Sequence, residues 1–395
     1  MADLDSRLYS FAEHLCSPRF GKPMGRVDLK FVKNMFSGIW QTRSVNLTDI
    51  ARSLNENIRL HATHKRLSRN LDNIALQERL STGLLKMVAE HVRSDTRLIV
   101  HIYEITKKYA SKIEFLAEKE TDAKAGFKVC EILASQVNSE AYMPMLAHVW
   151  SDQTPGYLSD EKEIQKAVQT VLQATEDRGI FYFDDRSLRG NLIRHLMSDS
   201  HADFVAMVND VDLIVECRGA NATLKSLCED VETPYGKMMF KLVPEGLLGS
   251  ASQLDMDLFI HVGSLPIKLL ENPRRLSLIA LKSKNRMVGE HLTPIITSKT
   301  RLRSRKALMG LVESFLSMHD VVGLHGELRD KFNPAGFRVL TYNRLQLLLT
   351  LLQAVICAES SAPGNVAVSD QQYSRQPHDG DMSRTYYRPE DGLEV

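Results

Sequence analysis

The most constraining feature of this sequence is a short apolar run that ends in two adjacent carboxylates. Residues 179–183 read Gly-Ile-Phe-Tyr-Phe, and Asp184, Asp185 and Arg186 follow. Aromatic and β-branched residues favour a buried strand, and ligands gather at the carboxyl ends of strands in open α/β sheets. Carboxylate oxygens suit a hard cation such as Mg²⁺. The segment therefore predicts an α/β sheet with a metal site at Asp184 and Asp185, although a helix N-cap would also account for these acids.

The composition is that of an ordinary globular protein, with 43% apolar and 25% charged residues and a net charge of +1. A chain of 395 residues exceeds one typical core, so two or three structural units are expected. The five cysteines are scattered without a C-x-x-C pair, which argues against a zinc knuckle or disulfide framework. The longest apolar run, residues 345–357, predicts a buried helix because it is too short to cross a bilayer. We therefore expect a cytoplasmic protein that does not enter a membrane.

The pattern along the chain predicts helices first and strands afterwards. Residues 1–95 are expected to be helical, and residues 211–297 are expected to be rich in strands. Between them the periodicity predicts strands at 98–103, 126–134, 142–149, 180–183 and 204–208, and helices at 160–176 and 188–197. Further helices are expected at 307–326 and 338–357, and a polar tail from residue 359 to 395 is expected to be disordered.

The N-terminal region carries a local excess of positive charge. Residues 20–75 contain ten Lys/Arg and four Asp/Glu, an excess of six. Thr48 is a plausible N-cap for one short helix, and the next helix places Lys65, Arg66 and Arg69 opposite Leu67 and Leu71. This outline is typical of a helix-turn-helix that contacts DNA, while a small bundle with a solvated basic face is the alternative.

A second basic cluster lies in residues 299–306 and includes Arg301, Arg303 and Arg305. Its cations could neutralise phosphates, and the alternative is again that they only solvate the surface.

Three stretches together resemble the DDE transposases of bacterial insertion sequences, in the branch with a β-strand insert. Residues 104–110, Glu-Ile-Thr-Lys-Lys-Tyr-Ala, are similar to the segment that follows the family's first acid. The second acid of the family lies in an Asp-Arg-Gly turn, which residues 185–187 match as Asp-Arg-Ser. The third lies in a helical Tyr-x2-Arg-x3-Glu-x6-Lys pattern. That pattern falls on Met318, Val321, His325 and Phe332, with Lys331 one place early.

This resemblance implies an α/β fold with an RNase H-like mixed-sheet core, a β-rich insert and a helical N-terminal DNA-binding domain. The implied boundaries are 1–95 for the DNA-binding domain, 96–210 and 298–358 for the core, 211–297 for the insert and 359–395 for the tail. It also implies double-stranded DNA as the partner, a homodimer on DNA, and Mg²⁺-dependent cleavage and strand transfer at transposon ends. Asp185 would then be a metal ligand, and Arg186 would orient a carboxylate or meet a phosphate.

The departures from the family pattern predict a loss of catalysis. His101 occupies the first acid position and His325 the third, so Asp185 is the one family acid that survives, with Asp184 beside it. Neutral imidazole is a poor Mg²⁺ ligand, and two-metal chemistry needs bridging carboxylates. We therefore expect weak or absent cleavage, and the alternative is a non-catalytic DNA-binding regulator or a domesticated scaffold.

Other interpretations of the two histidines stay open at this stage. His101 could be an ordinary core histidine, or His101, Asp185 and His325 could form a two-histidine, one-carboxylate face for Fe²⁺, Zn²⁺ or Mn²⁺. Glu327 and Glu104 are expected to point away from the site, by the helical and strand periods respectively.

Overall fold

The computed structural model describes residues 2–106, 112–117, 126–137, 139, 141–183, 192, 196, 202–242, 255–270, 272, 274–285 and 289–361. Several predictions fall outside these residues and stay predictions. They concern Asp184, Asp185 and Arg186, the motif residues 107–110, most of the predicted helix 188–197, and the tail from residue 362.

The described residues form helices in the N-terminal region, strands in the middle and two long helices at the end. The helices are α1 (Ala2–Leu15), α2 (Arg26–Thr42), α3 (Leu47–Ser53), α4 (Leu60–Asn70), α5 (Ile74–Ala89), α6 (Asp160–Thr175), α7 (Leu224–Asp230), α8 (Arg305–Asp330) and α9 (Tyr342–Ser360). The strands are β1 (Arg97–Thr106), β2 (Gly126–Ser135), β3 (Tyr142–Trp150), β4 (Ile180–Phe183), β5 (Asp203–Met207), β6 (Ile214–Cys217), β7 (Ala220–Thr223), β8 (Tyr235–Leu242), β9 (Asp255–Leu269), β10 (Leu276–Asn285) and β11 (Gly289–Thr297).

The chain forms two compact units, and the first comprises Met1–Gly179 and Asp320–Asp370. In this unit β1, β2 and β3 form an antiparallel meander, with a register shift between Ile132 and Leu133. The apolar helix α9 packs against β3, α5 and α2. Its residues from Leu347 to Cys357 are all buried, as predicted for that segment.

Two helices of the N-terminal region, α3 and α5, begin at asparagine caps. The Asn46 side chain accepts from the Thr48 N–H at 3.0 Å at the start of α3, and Asn73 accepts from Leu76 N–H at 3.1 Å at the start of α5. The expectation that Thr48 is the N-cap is therefore wrong by two residues. Asparagine caps helices at least as well as threonine, so residue type alone does not distinguish Asn46 from Thr48 as the cap.

The second unit contains the remaining strands and lies within Ile180–His319, apart from residues beyond 370. Here β4 and β5 are parallel, and β5 continues through antiparallel β11, β10 and β9. β6 and β8 both pair with β9, and β7 pairs with β6. Phe181, Phe183 and Phe204 are fully buried, because aromatic side chains of β4 and β5 supply the core.

The fold class is confirmed as α/β with a mixed sheet and a helical N-terminal segment. An antiparallel β1–β2–β3 meander, helix α6 and a parallel β4–β5 pair follow one another along the chain. The strand predicted at 204–208 corresponds to β5, and residues 211–297, expected to be rich in strands, contain β6–β11. The short helix α7 was not predicted. The proposed domain boundaries stay predictions.

One stretch of the described chain, Arg305–Gly336, is long and apolar enough to cross a membrane by those two criteria alone. Phe315, Met318 and Val321 within it are buried in the protein. This burial is the pattern of a core helix.

Candidate nucleic-acid interface and acid–histidine cluster

Helix α4 presents a buried face and a polar face, as its periodicity predicts. Thr63 and Leu67 are buried, and Leu71 continues the same side just beyond the helix. His61, Lys65 and Arg69 are exposed, with His64 partly exposed beside them. These residues are three or four positions apart, so they share one side of the helix. We call His61, His64, Lys65 and Arg69 the α4 face.

The three basic residues predicted on α4 have different partners. The side chains of Lys65 and Arg69 form no hydrogen bond or ion pair with any residue that the structure describes. Arg66 instead donates from Nη2 to Glu56 Oε1 at 2.8 Å, and Thr63 Oγ1 donates to Glu56 Oε2 at 2.9 Å. Partial burial alone would raise the pKa of Glu56, but these hydrogen bonds lower it below its ordinary value. Arg66 is therefore a structural residue, while Lys65 and Arg69 are available to a ligand.

The cations of residues 20–75 likewise divide into those with an acidic partner and those without one. Lys33, Arg43, Arg52 and Arg66 form ion pairs with Glu13, Glu359, Asp49 and Glu56. The remaining six cations are exposed and have no ion pair among the described residues. They are Lys22, Arg26, Lys30, Arg59, Lys65 and Arg69. The local excess of positive charge is thus carried by exposed side chains in the first unit.

The end of α4 is fixed by an arginine from the last helix. Arg344 of α9 donates from Nε to Asp72 Oδ1 at 2.6 Å and from Nη1 to Ser68 Oγ at 3.2 Å. The hydrogen bond from Arg344 lowers the pKa of Asp72, so that this carboxylate stays charged. A paired acid next to the α4 face repels phosphate less than a free one would.

The second basic cluster, in the second unit, is partly neutralised. Lys299 Nζ lies 2.5 Å from Asp203 Oδ2, and Arg305 Nη2 donates to the Gly236 carbonyl at 3.4 Å. Arg301 and Arg303 are exposed on either side of the buried Leu302. Neither has an ion pair with a residue that the structure describes.

His325, at the third acid position of the resemblance, lies in the core of the first unit. Its side chain is 0% exposed, and Nε2 donates to Glu131 Oε2 at 2.5 Å. Nδ1 has no hydrogen-bond partner among the described residues. The Tyr142 ring packs edge-on against the imidazole, with centroids 5.4 Å apart. These contacts are those of a buried core histidine.

Glu131 also brings His101 to this cluster. Glu131 lies on β2 directly opposite His101 on β1, and His101 is partly exposed and stacks on Tyr103 at 5.9 Å. The structure thus places both histidines of the substituted acid positions around one carboxylate. Sequence reasoning missed this acid, although a glutamate inside the apolar run 129–133 (Val-Cys-Glu-Ile-Leu) is the signal that could have identified it.

The charges around Glu131 keep it ionised in the core. Burial alone would raise its pKa, but His325, Arg329 and His101 outweigh that effect and lower the pKa of Glu131 below its ordinary value. Arg329 also lies over the Tyr103 ring, 3.8 Å from its centroid. Burial of the hydroxyl and the negative charge of Glu131 raise the pKa of Tyr103 well above its ordinary value. The cluster is an ion network with a neutral tyrosine at its edge.

The other positions of the third motif are apolar and buried. Met318, Val321 and Phe332 stand where the pattern has Tyr, Arg and Lys, and each is at most 1% exposed. Glu327 and Glu104 are exposed, as their helical and strand periods predict. Glu313 forms an ion pair with Lys237 at 2.6 Å. None of these three glutamates joins His325.

The described residues do not fit the divalent metal that the resemblance implies. They contain no group of three or more His, Cys, Asp and Glu side chains that could hold a metal ion. The His325 Nε2 atom is already bonded to Glu131. The convergence of residues 101, 185 and 325 in one pocket stays a prediction, since Asp185 lies outside the described residues.

Comparisons with known proteins give a distant structural likeness. No protein-family model matches the chain, and no curated protein matches it. Among solved structures, the protein is similar to a piggyBac transposase synaptic complex with hairpin DNA, studied by cryo-electron microscopy. The identity is 9%, the TM-score is 0.46, and the match covers 93% of this chain and 74% of the other. At this distance the likeness assigns no site and no function.

Proposed function

We propose that this protein binds double-stranded DNA through the α4 face and is related to DDE transposases of the insertion-sequence type. The observation that carries the proposal is the set of exposed, unpaired cations on and around α4. Lys65 and Arg69 stand on the side of the helix away from Thr63 and Leu67. Phosphate contacts of this kind supply most of the affinity of DNA-binding proteins.

Whether the α4 face contacts DNA or is only solvated is judged from which acidic residues pair with its cations. A solvated basic surface usually carries interspersed acids that pair with its cations. Here Glu56 and Asp72 are engaged by Arg66 and Arg344, which leaves Lys65 and Arg69 without a counter-charge among the described residues. This arrangement favours a polyanionic ligand.

We further propose that DNA cleavage and strand transfer are impaired. His101 and His325 replace two acids of the resembled pattern, and His325 is a fully buried partner of Glu131. A buried hydrogen bond to Glu131 supports a structural role for His325. The Mg²⁺ dependence implied by the resemblance, a homodimer on DNA and a cytoplasmic location belong to this proposal as well.

The second candidate function is a non-catalytic DNA-binding regulator, or a domesticated scaffold derived from a transposase. The observation that favours it is the apolar face of α8, because Met318 and Val321 fill core positions where the resembled motif has polar side chains. Terminal inverted repeats flanking the gene would favour a mobile element, and their absence would favour domestication.

DNA binding is tested with the double variant Lys65→Glu/Arg69→Glu. Losing two phosphate contacts is expected to reduce the slope of log affinity against log salt by about 2 and to weaken binding roughly 10- to 100-fold. Fluorescence anisotropy on a labelled duplex between about 50 and 200 mM salt measures both.

The matched control is Lys86→Glu, an exposed and unpaired cation on α5. It makes one such charge reversal, half the charge change of the double variant, away from the α4 face and should leave the salt slope nearly unchanged. Equal losses in both variants would contradict the proposed interface and would indicate a response to net charge alone.

Cleavage is tested with the full chain on supercoiled and linear DNA in Mg²⁺ and in Mn²⁺. We expect no strand breaks above a protein-free reaction, because two acids of the resembled site are imidazoles. The Asp185→Asn variant should then be indistinguishable from the natural protein. Cleavage that is lost in Asp185→Asn would refute the impaired-enzyme proposal and would restore a working metal site.

A further inference from the structure

The first turn of α4 differs in chemistry from the two turns that follow it. His61 and Ala62, in the first turn, are exposed and have short side chains. Lys65 in the second turn and Arg69 in the third are exposed, long cations. The spacing of these residues places all four on the side of the helix opposite its buried face. Short and long side chains therefore occupy different turns of the same exposed side.

The length of each side chain limits the part of a duplex that it can contact. A helix in the major groove, which is about 12 Å wide, has base edges beneath it and phosphates on its flanks. The long stems of Lys65 and Arg69 can reach the flanking phosphates, as cations of DNA-binding proteins commonly do. The shorter His61 and Ala62 can contact only what lies directly beneath the helix. On a duplex, the bases are what lies there.

The first turn is also the end of α4 that is open to a ligand. At the other end, Arg344 of α9 donates to Ser68 Oγ at 3.2 Å and to Asp72 Oδ1 at 2.6 Å, so part of α9 lies against the last turn. The His61 side chain, in contrast, has no hydrogen bond or ion pair with a residue that the structure describes. In helix-turn-helix proteins, the first residues of the second helix are those that contact base edges.

The position of this first turn is fixed by its surroundings. Thr63 is buried and donates to Glu56 Oε2 at 2.9 Å, while Arg66 Nη2 donates to Glu56 Oε1 at 2.8 Å. Glu56 thereby joins the loop before α4 to the helix, and Leu67 holds the helix in the core. Recognition of a base requires side chains that are held in place before the ligand binds. The first turn of α4 meets this requirement.

We propose that α4 reads the base sequence through His61 and Ala62, while Lys65 and Arg69 position the helix on the phosphates. The imidazole of His61 donates to N7 of a purine, the acceptor that guanine and adenine both present in the major groove. The Ala62 methyl group packs against the 5-methyl group of a thymine in the neighbouring base pair. This readout rests on the proposed function and adds the two residues that select a site.

The contact of His61 is tested with purine analogues that lack N7. Selection from a random duplex library first identifies the site that the full chain prefers. Each purine of that site is then replaced singly by its 7-deaza analogue, which still forms its base pair. At one position we expect the natural protein to lose affinity roughly 3- to 10-fold, as for one hydrogen bond. In His61→Ala the same replacement should have no effect, because the donor is absent.

The matched control is His91→Ala, which removes an exposed histidine outside α4. This variant should keep the full sensitivity to the 7-deaza analogue. A loss of affinity that persists in His61→Ala, or that also disappears in His91→Ala, would overturn the assignment of His61.

The contact of Ala62 is tested on the same site by replacing each thymine with uracil, which lacks the 5-methyl group. Next to the purine that His61 contacts, this replacement should weaken binding roughly threefold, as for the loss of one buried methyl group. Ala62→Ser puts a hydroxyl group at this contact and should reduce the sensitivity to uracil. Equal sensitivity in the natural protein and in Ala62→Ser would overturn the contact.

The phosphate contacts should behave differently from the base contacts. Lys65→Glu/Arg69→Glu should weaken all duplexes alike and select the same site, whereas His61→Ala should relax the selected site at one position and leave the salt slope unchanged. Binding without any sequence preference would overturn the readout and keep the proposed function. Failure to bind any duplex at about 50 mM salt would contradict the proposed function itself, and the readout with it.

Discussion

Glu131→Ala is expected to lower the free energy of unfolding by about 3–5 kcal/mol, because it leaves His325 and the nearby Arg329 without their buried carboxylate partner. His325 would lose the acceptor of its Nε2–H inside the core, where it is 0% exposed. Arg329 would also lose a neighbouring negative charge. Denaturant unfolding followed by circular dichroism measures the change, and Glu104→Ala, an exposed position on β1, is the matched control.

The double variant Glu131→Leu/His325→Leu measures the net contribution of the Glu131–His325 pair to the free energy of unfolding. It separates that contribution from the cost of leaving one polar partner unpaired in the core. Replacing a buried pair by apolar residues is often neutral or stabilising. We therefore expect the double variant to be more stable than either single leucine variant. A double variant as unstable as the sum of both singles would show that Glu131 and His325 act independently, and would contradict the pairing.

Lowering the pH should remove the contribution of Glu131 to the free energy of unfolding. Its folded-state pKa lies below the ordinary value of 4.5, so the stabilisation is fully present above about pH 4.5 and is lost as pH falls through the folded pKa. The isosteric variant Glu131→Gln lacks this dependence. The stability difference between the natural protein and Glu131→Gln should thus be largest above pH 4.5 and should shrink below it. A constant difference down to pH 3 would contradict an ionised Glu131.

Gly38→Val is expected to lower the free energy of unfolding by about 3 kcal/mol through overpacking. A Cβ atom at Gly38 of α2 would collide with Ile50 Cγ2 of α3 and would lie 3.5 Å from the Ile50 main chain. Both residues are fully inside the helical core. The two helices would have to separate, and α4, which packs against both, would move with them. The thermal unfolding temperature and the DNA affinity should both fall.

A second helical glycine provides the control for this prediction. Gly310 of α8 has no atom within 4 Å of a built Cβ, so Gly310→Val should change stability by less than about 1 kcal/mol. If Gly38→Val proves as mild as Gly310→Val, the close approach of α2 and α3 is not a constraint on the fold.

The regular elements were predictable because their signals are local. β1, β2 and β3 were predicted to within a few residues at each end, since runs of β-branched and aromatic residues indicate strands. α6 was predicted to begin at Asp160, where Ser159 caps the Lys162 N–H at 3.3 Å. The seven-residue helix α7 was missed because it holds too few turns to show a periodicity.

The site was less predictable because it depends on partners that are distant in sequence. The sequence shows that residues 20–75 contain ten cations. It does not show which of them are neutralised by an acidic partner. Arg43 pairs with Glu359, 316 residues away, and Asp72 is engaged by Arg344. The environment of His325 likewise depends on Glu131, 194 residues earlier in the chain. No local pattern reports such pairings.

The αL residue Arg43 has a wider consequence for how this protein can be divided. Its guanidinium lies over the Trp40 and Phe332 rings, 5.3 and 4.8 Å from their centroids, while it holds Glu359. One side chain thus connects the amino-terminal helices to the segments that carry Phe332 and Glu359. Residues 1–95 expressed alone would lack those segments and would expose the apolar surfaces that α9 covers. The amino-terminal helices should therefore melt together with the last helix in a single cooperative transition, and they should not survive as a detachable module.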